Sequence, residues 1–260
     1  MPGLRARLFH ANINCSDLDR SLAFYRDTVG LTPLVRTTPA HPQPGDAFGL
    51  EVAQWDAWIL AGAHGLDGVV VDLLEWKTPR PGRGTGEPGF RRLRLGVAPG
   101  GALTPGSTVD PDGTPLEIVA DASPRVAGVE IGCSALERSR AFYRDVVGLA
   151  PVVGSVFADR RGPEAFTVEL IESPGPIQPR AANDLGIYRL ALLTDDIDTA
   201  YRALLAAGVR TCSPPATLDM GPGLPRLRAL LFPDLDGTML ELIESPPPAP
   251  PATAGDDERR

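Results

Sequence analysis

Histidine is the side chain best suited to carry a proton near neutral pH, and it is scarce in this sequence. The 260 residues include three histidines, His10, His41 and His64. His10 lies in the run 8–14, which is short and alternating enough for a strand, whereas the other two lie in loop-like, exposed surroundings. Held by a neighbouring carboxylate, an imidazole is a suitable general acid or base. His10 is therefore either a strand histidine with only a structural bond to a carboxylate or a candidate proton carrier.

Glu117 and Glu241 are carboxylates at matching points of two predicted strands, in the segments DPDGTPLEIV and DLDGTMLELI. Each strand follows an Asp-Gly turn, and each glutamate alternates with apolar residues, so both point away from the apolar side. They face either a pocket or the solvent. The cysteines, Cys15, Cys133 and Cys212, show no metal-type spacing and are interpreted as small core residues.

An internal repeat contains these strands. Residues 15–33 read CSDLDRSLAFYRDTVGLTP and residues 133–151 read CSALERSRAFYRDVVGLAP, with fourteen of nineteen positions identical at an offset of 118. Each copy predicts a helix that ends at a glycine, Gly30 or Gly148, in a left-handed cap. Because the two glutamate strands repeat in the same order, the chain is a duplicated domain.

The remaining pattern predicts an α+β protein with two domains and a tail. Further strands are predicted at 57–61, 68–74, 165–171 and 186–194, and an amphipathic helix at 196–207. The predicted organisation is a first domain at 1–122, a second domain at 123–245 and a disordered Pro-rich tail at 246–260.

Composition excludes several classes of partner. The formal net charge is −8, which argues against a surface for nucleic acid or anionic membrane. The sequence contains no apolar run of about 18 residues and no apolar signal core at its start. We therefore expect a cytoplasmic protein. Because the chain is duplicated, we expect either a monomer or a homodimer.

The pattern H-x-N-x-x-x-S-D-L-x-R-S-x-x-F-Y-x-D-x-x-G-L and the closing strand D-x-D-G-x-x-x-E-L-I resemble the vicinal oxygen chelate superfamily. This superfamily includes glyoxalase I, extradiol dioxygenases and bleomycin-binding resistance proteins. The resemblance implies tandem βαβββ modules that curl into two glyoxalase-like half-barrels. The four modules fall at about 5–78, 88–121, 125–174 and 184–245, and the second is abbreviated because its span is too short for a helix and both middle strands.

Metal enzymes of this family bind their ion through the first and last strands of two paired modules. Carried over from the first module to the fourth, those positions are His10 and Asp72, Arg92 and Glu117, Gly128 and Glu169, and Arg189 and Glu241. An arginine cannot ligate a cation, but it can replace the charge of the metal and hold carboxylates. The resemblance therefore implies no resident metal; the alternative is a divalent metal at His10, Asp72 and a glutamate.

The candidate catalytic residues are thus His10, Asp72, Arg92 and Arg189. The candidate substrate-binding residues are Glu117, Glu241, Glu169, Trp55 and Trp58. The two tryptophans are three positions apart on a predicted strand and therefore face opposite sides, so one of them can stack on a ligand. For the two arginines and for Glu117 and Glu241, a structural ion-pair network is favoured over direct catalysis. The resemblance does not determine which modules pair.

The favoured hypothesis is a metal-independent enzyme that acts on a hydrophobic carbonyl-bearing or phenolic natural product. The reaction would be isomerisation, cyclisation, ketal formation or elimination, with His10 moving a proton and Arg92 or Arg189 binding the developing oxyanion. One alternative is a drug-binding resistance protein of the bleomycin-resistance type, which performs no chemistry. The other is a metal-dependent lyase or dioxygenase.

Overall fold

The computed structural model describes residues 3–85, 89–162, 164–173 and 175–245. The predicted tail at 246–260 lies outside these residues. In chain order the elements are β1 (Ala6–Asn14), α1 (Leu18–Ala23, continued by a π-helical segment, Phe24–Val29), β2 (Thr32–Thr37), β3 (Gln43–Pro44), β4 (Val52–Ala61), β5 (Val70–Thr78), β6 (Phe90–Val97), β7 (Gly106–Val109), β8 (Pro115–Ala120), β9 (Arg125–Cys133), α2 (Leu136–Asp145), β10 (Ala150–Val153), β11 (Val156–Ala158), β12 (Thr167–Glu172), β13 (Gly186–Thr194), α3 (Ile197–Ala206), β14 (Ala216–Leu218), β15 (Leu227–Pro233) and β16 (Met239–Glu244).

The strands form two sheets, and each sheet contains one module from each half of the chain. The first sheet has the order β14-β15-β16-β13-β1-β5-β4-β2, with β3 added to β4. The second has the order β10-β11-β12-β9-β6-β8-β7. The first module therefore pairs with the fourth through antiparallel β1 and β13, and the second pairs with the third through antiparallel β6 and β9.

This architecture confirms the predicted α+β class, the tandem modules and the abbreviated second module. Strand β6 is followed by the short strand β7 and then by β8, with no helix in the described stretch that connects them. The predicted left-handed glycines are also present, because Gly30 and Gly148 have φ angles of 90° and 85°. A side chain at either position would strain the backbone.

The two repeated sequence motifs contact each other across neighbouring modules. The Tyr25 hydroxyl donates to Oδ2 of Asp110 at 3.0 Å, and the Tyr143 hydroxyl donates to Oδ2 of Asp234 at 3.0 Å. Each tyrosine belongs to a repeated helix and each aspartate to a repeated Asp-Gly turn. The two echoes therefore recur together because each helix docks on the turn of the next module.

A separate apolar cluster lies beneath the concave face of the first sheet. Phe48, Trp55 and Trp76 are buried there and contact one another edge to face, with ring centroids 5.4 to 6.3 Å apart. Such aromatic pairs contribute about 0.5–1.5 kcal/mol each beyond burial of their area. This cluster forms part of the wall of the site described below.

None of the helices in the described ranges is long and apolar enough to span a bilayer.

Candidate functional site

Four neighbouring strands of the first sheet bring the candidate residues together. Asn12 on β1 is in register with Arg189 on β13 at one side and with Asp72 on β5 at the other. His10, two positions before Asn12, is beside Ala191, which is in register with Glu241 on β16. Side chains alternate along a strand, so His10, Asp72, Arg189 and Glu241 lie on one face of the sheet.

Arg189 is the centre of this charged cluster. Its Nε donates to Oε2 of Glu241 at 2.7 Å, and its Nη2 donates to Oδ2 of Asp72 at 2.7 Å. The guanidinium is 4% exposed and lies 5.6 Å from the centroid of the Phe48 ring. One permanent cation thus bridges two buried carboxylates through one charge-assisted hydrogen bond to each.

His10 adjoins both carboxylates but is not fully satisfied by them. Its Nε2 is 3.2 Å from Oε2 of Glu241 and 3.8 Å from Oδ2 of Asp72. The Asn12 amide donates to Oδ2 of Asp72 at 3.1 Å and so helps to orient that carboxylate. Within the described residues, both ring nitrogens of His10 and Nη1 of Arg189 are buried without a hydrogen-bond partner. A buried donor in that state costs about 1–3 kcal/mol, which a ligand oxygen can recover.

The cluster fixes the charge of its members. Burial alone would raise the pKa of Glu241, but the charge of Arg189 and the adjacent His10 lower it to about 2. Burial would lower the pKa of Arg189, yet Glu241 and Asp72 outweigh that effect and raise it. One formal positive charge faces two negative charges when the imidazole is neutral. The cluster therefore carries one excess negative charge in that state.

An apolar pocket of about 210 Å³ opens above the cluster. His10, Asp72, Arg189 and Glu241 form its polar base. The walls come from the first and fourth modules: Phe9, Val35, Thr37, Phe48, Trp55, Ile59, Leu66, Leu74, Leu218, Met220, Leu224, Pro225, Leu227 and Ile243. Apolar walls with a few convergent polar groups are typical of sites for small ligands.

The two tryptophans face opposite sides of β4, as predicted from their spacing. Trp55 lines the pocket, and its indole N–H donates to Oγ1 of Thr37 at 3.1 Å. Trp58 does not line this pocket and instead lies 5.9 Å from the guanidinium of Arg36. His41 and His64 are exposed, as expected for loop residues. Of the two tryptophans, only Trp55 is placed to contact a ligand here.

Two of the other predicted residues, Glu117 and Glu169, belong to a second cluster on the second sheet. Arg94 on β6 donates from Nε to Glu117 at 2.6 Å and from Nη2 to Glu169. Arg92 instead pairs with Glu130 at 3.2 Å, and none of Arg92, Glu117 and Glu169 lines the His10 pocket. Grouping Arg92 with Glu117 is therefore corrected by the structure. The parallel register aligns Arg94, not Arg92, with Glu117 on β8.

Sequence reasoning missed Asn12, Phe48 and Arg94. Asn12 shares the face of His10 at a spacing of two, and Arg94 has the same spacing from Arg92, so strand alternation could have identified both. Phe48 lies in a single 3₁₀ turn, Asp46–Phe48, far from the cluster in sequence. Its position over Arg189 depends on tertiary packing that no local pattern reports.

The donor set of the first cluster does not suit the divalent metal of related enzymes. Arg189 occupies the fourth ligand position, and the carboxylates of Asp72 and Glu241 are already bonded to its guanidinium. A cation bound to the same carboxylates would be repelled by that permanent charge. In the described part of the chain, no group of three or more His, Cys, Asp or Glu residues is arranged to hold a metal ion.

Paired modules, a curled sheet and a polar cluster at the base of an apolar cleft define a glyoxalase-like protein. The chain belongs to the Glyoxalase/Bleomycin resistance protein/Dioxygenase superfamily, whose family model matches residues 7–94 and 125–242. The family resemblance of the two sequence motifs is therefore confirmed.

Solved structures show the same fold. Glyoxalase I from Zea mays has 20% sequence identity and a TM-score of 0.62 over 92% of each chain. A dioxygenase-like protein from Bacillus subtilis has 14% identity and a TM-score of 0.63, over 95% of this chain and 87% of that chain. No curated protein matches the sequence. At these identities the likeness establishes the fold alone.

Proposed function

We propose that this protein is a metal-independent enzyme that uses His10 as an acid and base on an uncharged, largely apolar small molecule. The substrate carries a carbonyl or phenolic oxygen. The reaction is an isomerisation, cyclisation, ketal formation or elimination of the kind used to tailor natural products. The observation that carries the proposal is that, within the described residues, the ring nitrogens of His10 and Nη1 of Arg189 are buried without a hydrogen-bond partner at the base of an apolar pocket.

In this proposal Arg189 binds and polarises the substrate oxygen. Two of its nitrogens are bonded to Glu241 and Asp72, which holds the guanidinium in place, and Nη1 is left to donate to a substrate oxygen. A preorganised donor in a site that excludes water stabilises negative charge that develops on that oxygen. The two carboxylates act as orienting groups, and the low pKa of Glu241 keeps that carboxylate ionised.

His10 moves the proton. It takes a proton from a carbon or hydroxyl beside the bound oxygen, and it returns that proton to a different atom of the same molecule. An isomerisation written this way balances without an external reactant. The imidazolium formed in the first half of the reaction neutralises the excess negative charge of Asp72 and Glu241. The cluster is therefore most stable when the substrate carries the oxyanion, as differential stabilisation of the transition state requires.

The same charge balance predicts which ligands bind. A ligand that is already an anion would add to the excess negative charge of the cluster, whereas an uncharged ketone or phenol would not. Comparison of methyl naphthyl ketone with naphthoate, which has a similar shape, tests this selectivity. The ketone is expected to quench tryptophan fluorescence at lower concentration, and tighter binding of naphthoate would contradict the charge argument.

A binding protein without catalytic activity is the second candidate. The pocket walls are almost entirely apolar and include the aromatic side chains of Phe9, Phe48 and Trp55, an arrangement that suits sequestration of a drug. Under this alternative the ligand returns unchanged after long incubation. The cytoplasmic location and the oligomeric state expected from the sequence stay predictions under either candidate.

Exchange of carbon-bound hydrogen in heavy water separates these functions. Methyl naphthyl ketone is incubated with purified protein, and loss of its methyl protons is followed by NMR, because proton abstraction next to a carbonyl exchanges them. The wild type is expected to accelerate exchange, and His10→Gln is expected to reduce it about 100-fold while still binding the ketone. His64→Gln is the matched control in an exposed loop.

Three results decide between the functions. Binding without exchange by both wild type and His10→Gln would replace the proposal with the binding protein. Stoichiometric metal in the purified protein, with exchange abolished by a chelator, would replace it with a metal-dependent enzyme. Exchange that survives in His10→Gln would remove the assigned acid and base.

A further inference from the structure

The third module contributes to the site of the first sheet through an ion pair between a buried aspartate and a half-buried arginine. We propose that Asp159 and Arg161, in the third module, are positioning residues that hold the bulge of β1 from which His10 enters the pocket. This inference rests on the role given to His10 above. Both residues lie just after β11, outside the pocket, and neither contacts the polar cluster.

The pair binds both backbone groups of one residue on β1. Asp159 Oδ2 accepts a hydrogen bond from the Leu8 N–H at 2.9 Å, and Arg161 Nη2 donates to the Leu8 carbonyl at 2.5 Å. The two side chains are also paired with each other, with Arg161 Nη2 at 2.7 Å from Asp159 Oδ2. The N–H of Arg161 donates to Oδ1 of Asp159 at 2.9 Å, which closes the turn. Together the two side chains hold the Leu8 N–H and the Leu8 carbonyl by hydrogen bonds.

Leu8 needs such partners because of where the strands around it begin. The parallel pairing of β5 with β1 starts only at His10, so the edge of β1 at Leu8 has no neighbouring strand on that side. On the other side, the register with β13 shifts between Leu8 and His10, which leaves Phe9 as a bulge. A bulge redirects the side chains that follow it, and a slip by one residue would turn His10 to the opposite face.

The same arginine also holds the rim of the pocket. Arg161 Nη1 donates to the carbonyl of Asp67 at 2.6 Å. Asp67 directly follows Leu66, which lines the pocket although it is 47% exposed. One guanidinium therefore ties the bulge before His10 to the loop that carries Leu66, so loss of Arg161 should loosen both.

The surroundings favour a pair that is permanently charged. Asp159 is 4% exposed, and burial would raise the pKa of its carboxyl, but hydrogen bonds from Arg161 and from the Leu8 N–H lower it. A buried carboxylate that is paired on all sides is a fixed point in the structure. The third module has no histidine in its own cluster, where Gly128 takes the position of His10, yet it braces the histidine of the first module.

NMR of the imidazole rings tests the proposal directly. Only three histidines are present, so the ring signals of His10 are assigned by their loss in His10→Gln. Arg161→Gln is expected to move the ring signals of His10 and to leave those of His41 unchanged. The same variant should weaken binding of methyl naphthyl ketone about tenfold, measured by tryptophan fluorescence. Arg161→Lys, which keeps the positive charge on a single donor nitrogen, should fall between Arg161→Gln and the wild type.

Asp121→Asn is the matched control, because Asp121 pairs with Arg125 at 2.5 Å on the second sheet without touching β1. It should leave the His10 signals and the ketone affinity unchanged. Thermal unfolding followed by circular dichroism shows that each variant is folded, and Arg161→Gln is used first because its side chain is 21% exposed.

A folded Arg161→Gln protein with wild-type His10 signals and wild-type ketone affinity would overturn the inference. The outcome is separable from that of the proposed function. If the wild type binds the ketone without exchanging its protons, catalysis by His10 is wrong, while movement of its ring signals in Arg161→Gln still establishes the positioning.

Discussion

The two sheets carry the same arrangement of charges in different surroundings. In the first, Arg189 bridges Asp72 and Glu241, and all three side chains are at most 6% exposed. In the second, Arg94 bridges Glu117 and Glu169 with side chains that are 21% to 31% exposed. The bridged carboxylates are therefore a common framework of the duplicated fold. What distinguishes the first cluster is its cover and the histidine beside it.

The residues that close the first site come from two segments, one in the fourth module and one in the first. The loop 219–226 of the fourth module crosses the pocket and is attached to the first module, where the Gln43 amide bonds both backbone groups of Asp219 at 2.9 and 2.8 Å. Phe48 closes the pocket over Arg189. The abbreviated second module has no counterpart to these segments in its described residues. Burial strengthens the hydrogen bonds within an ion pair, and it increases the loss of stability when one partner is removed.

The largest effect is expected from Arg189→Met. This change removes the cation between Asp72 and Glu241 and leaves two buried carboxylates without its compensating charge, which typically destabilises a protein by about 3–5 kcal/mol. Urea unfolding measured by circular dichroism at neutral pH gives the free energy of unfolding. A loss below about 1 kcal/mol would show that solvent reaches the cluster and that its burial is not what sets it apart.

Glu241 makes the stability that the first cluster contributes depend on pH. Its pKa is lowered from 4.5 to about 2 in the folded protein, so the stability that it contributes is complete above pH 4.5 and is lost as the pH falls toward 2. We expect the free energy of unfolding to decrease across that range. The decrease should be shallower in Glu241→Gln, because the amide does not titrate there. Glu117→Gln in the exposed cluster is the control, and an equal change of slope in both variants would contradict the asymmetry.

Gly128 tests whether the second cluster could accept a histidine like that of the first. A Cβ at this position would lie 2.7 Å from the backbone oxygen of Thr167 and 2.6 Å from its hydroxyl. Gly128→Ala should therefore destabilise the protein by about 1–3 kcal/mol through overcrowding. Urea unfolding measures the effect. Gly101→Ala is the control, because a Cβ at that position would lie 3.4 Å from its nearest atom, the backbone oxygen of Ala98. Gly154→Ala is not used, because the φ of 55° at Gly154 would itself strain an alanine.

A stable Gly128→Ala protein would mean that β9 and β12 can separate without cost. The absence of histidine from the second cluster would then have no steric cause. The expected loss instead indicates that the close approach of these strands excludes any side chain at 128, so that the second cluster could not take up the chemistry of the first by a single substitution.

The sequence was sufficient to predict the fold and most of the first cluster. Strand alternation placed Glu241 opposite its apolar neighbours, and the offset of the repeat aligned His10 with Gly128. Both features can be identified from short stretches of sequence, without knowledge of the tertiary structure. The pairing of the first module with the fourth was not predictable, since either pairing keeps the same repeat. Neither was the contact of Arg161 with Leu8, which joins loops and strands 153 residues apart in the chain.

The choice between Arg92 and Arg94 shows, within a single strand, the limit of predicting ion-pair partners from side-chain alternation. Both lie on the same face of β6, so alternation cannot separate them. Only the register with β8, set by packing of the whole sheet, aligns Arg94 with Glu117. A shift of two residues preserves every inward and outward side chain and changes every ion pair. Partners across a sheet are thus harder to predict than the face on which a residue lies.

The smallest effect is expected from Arg94→Met, the counterpart of Arg189→Met. Glu117 and Glu169 are each 31% exposed, so water can solvate them when the guanidinium is removed. Ion pairs in such surroundings typically contribute about 0–1 kcal/mol. Urea unfolding at low and high salt measures the loss, and salt should reduce it further because exposed charges are screened. If Arg94→Met costs as much as Arg189→Met, the two clusters are energetically equivalent. The difference between the sheets would then reside in His10 alone, not in the burial of the ion pairs beneath it.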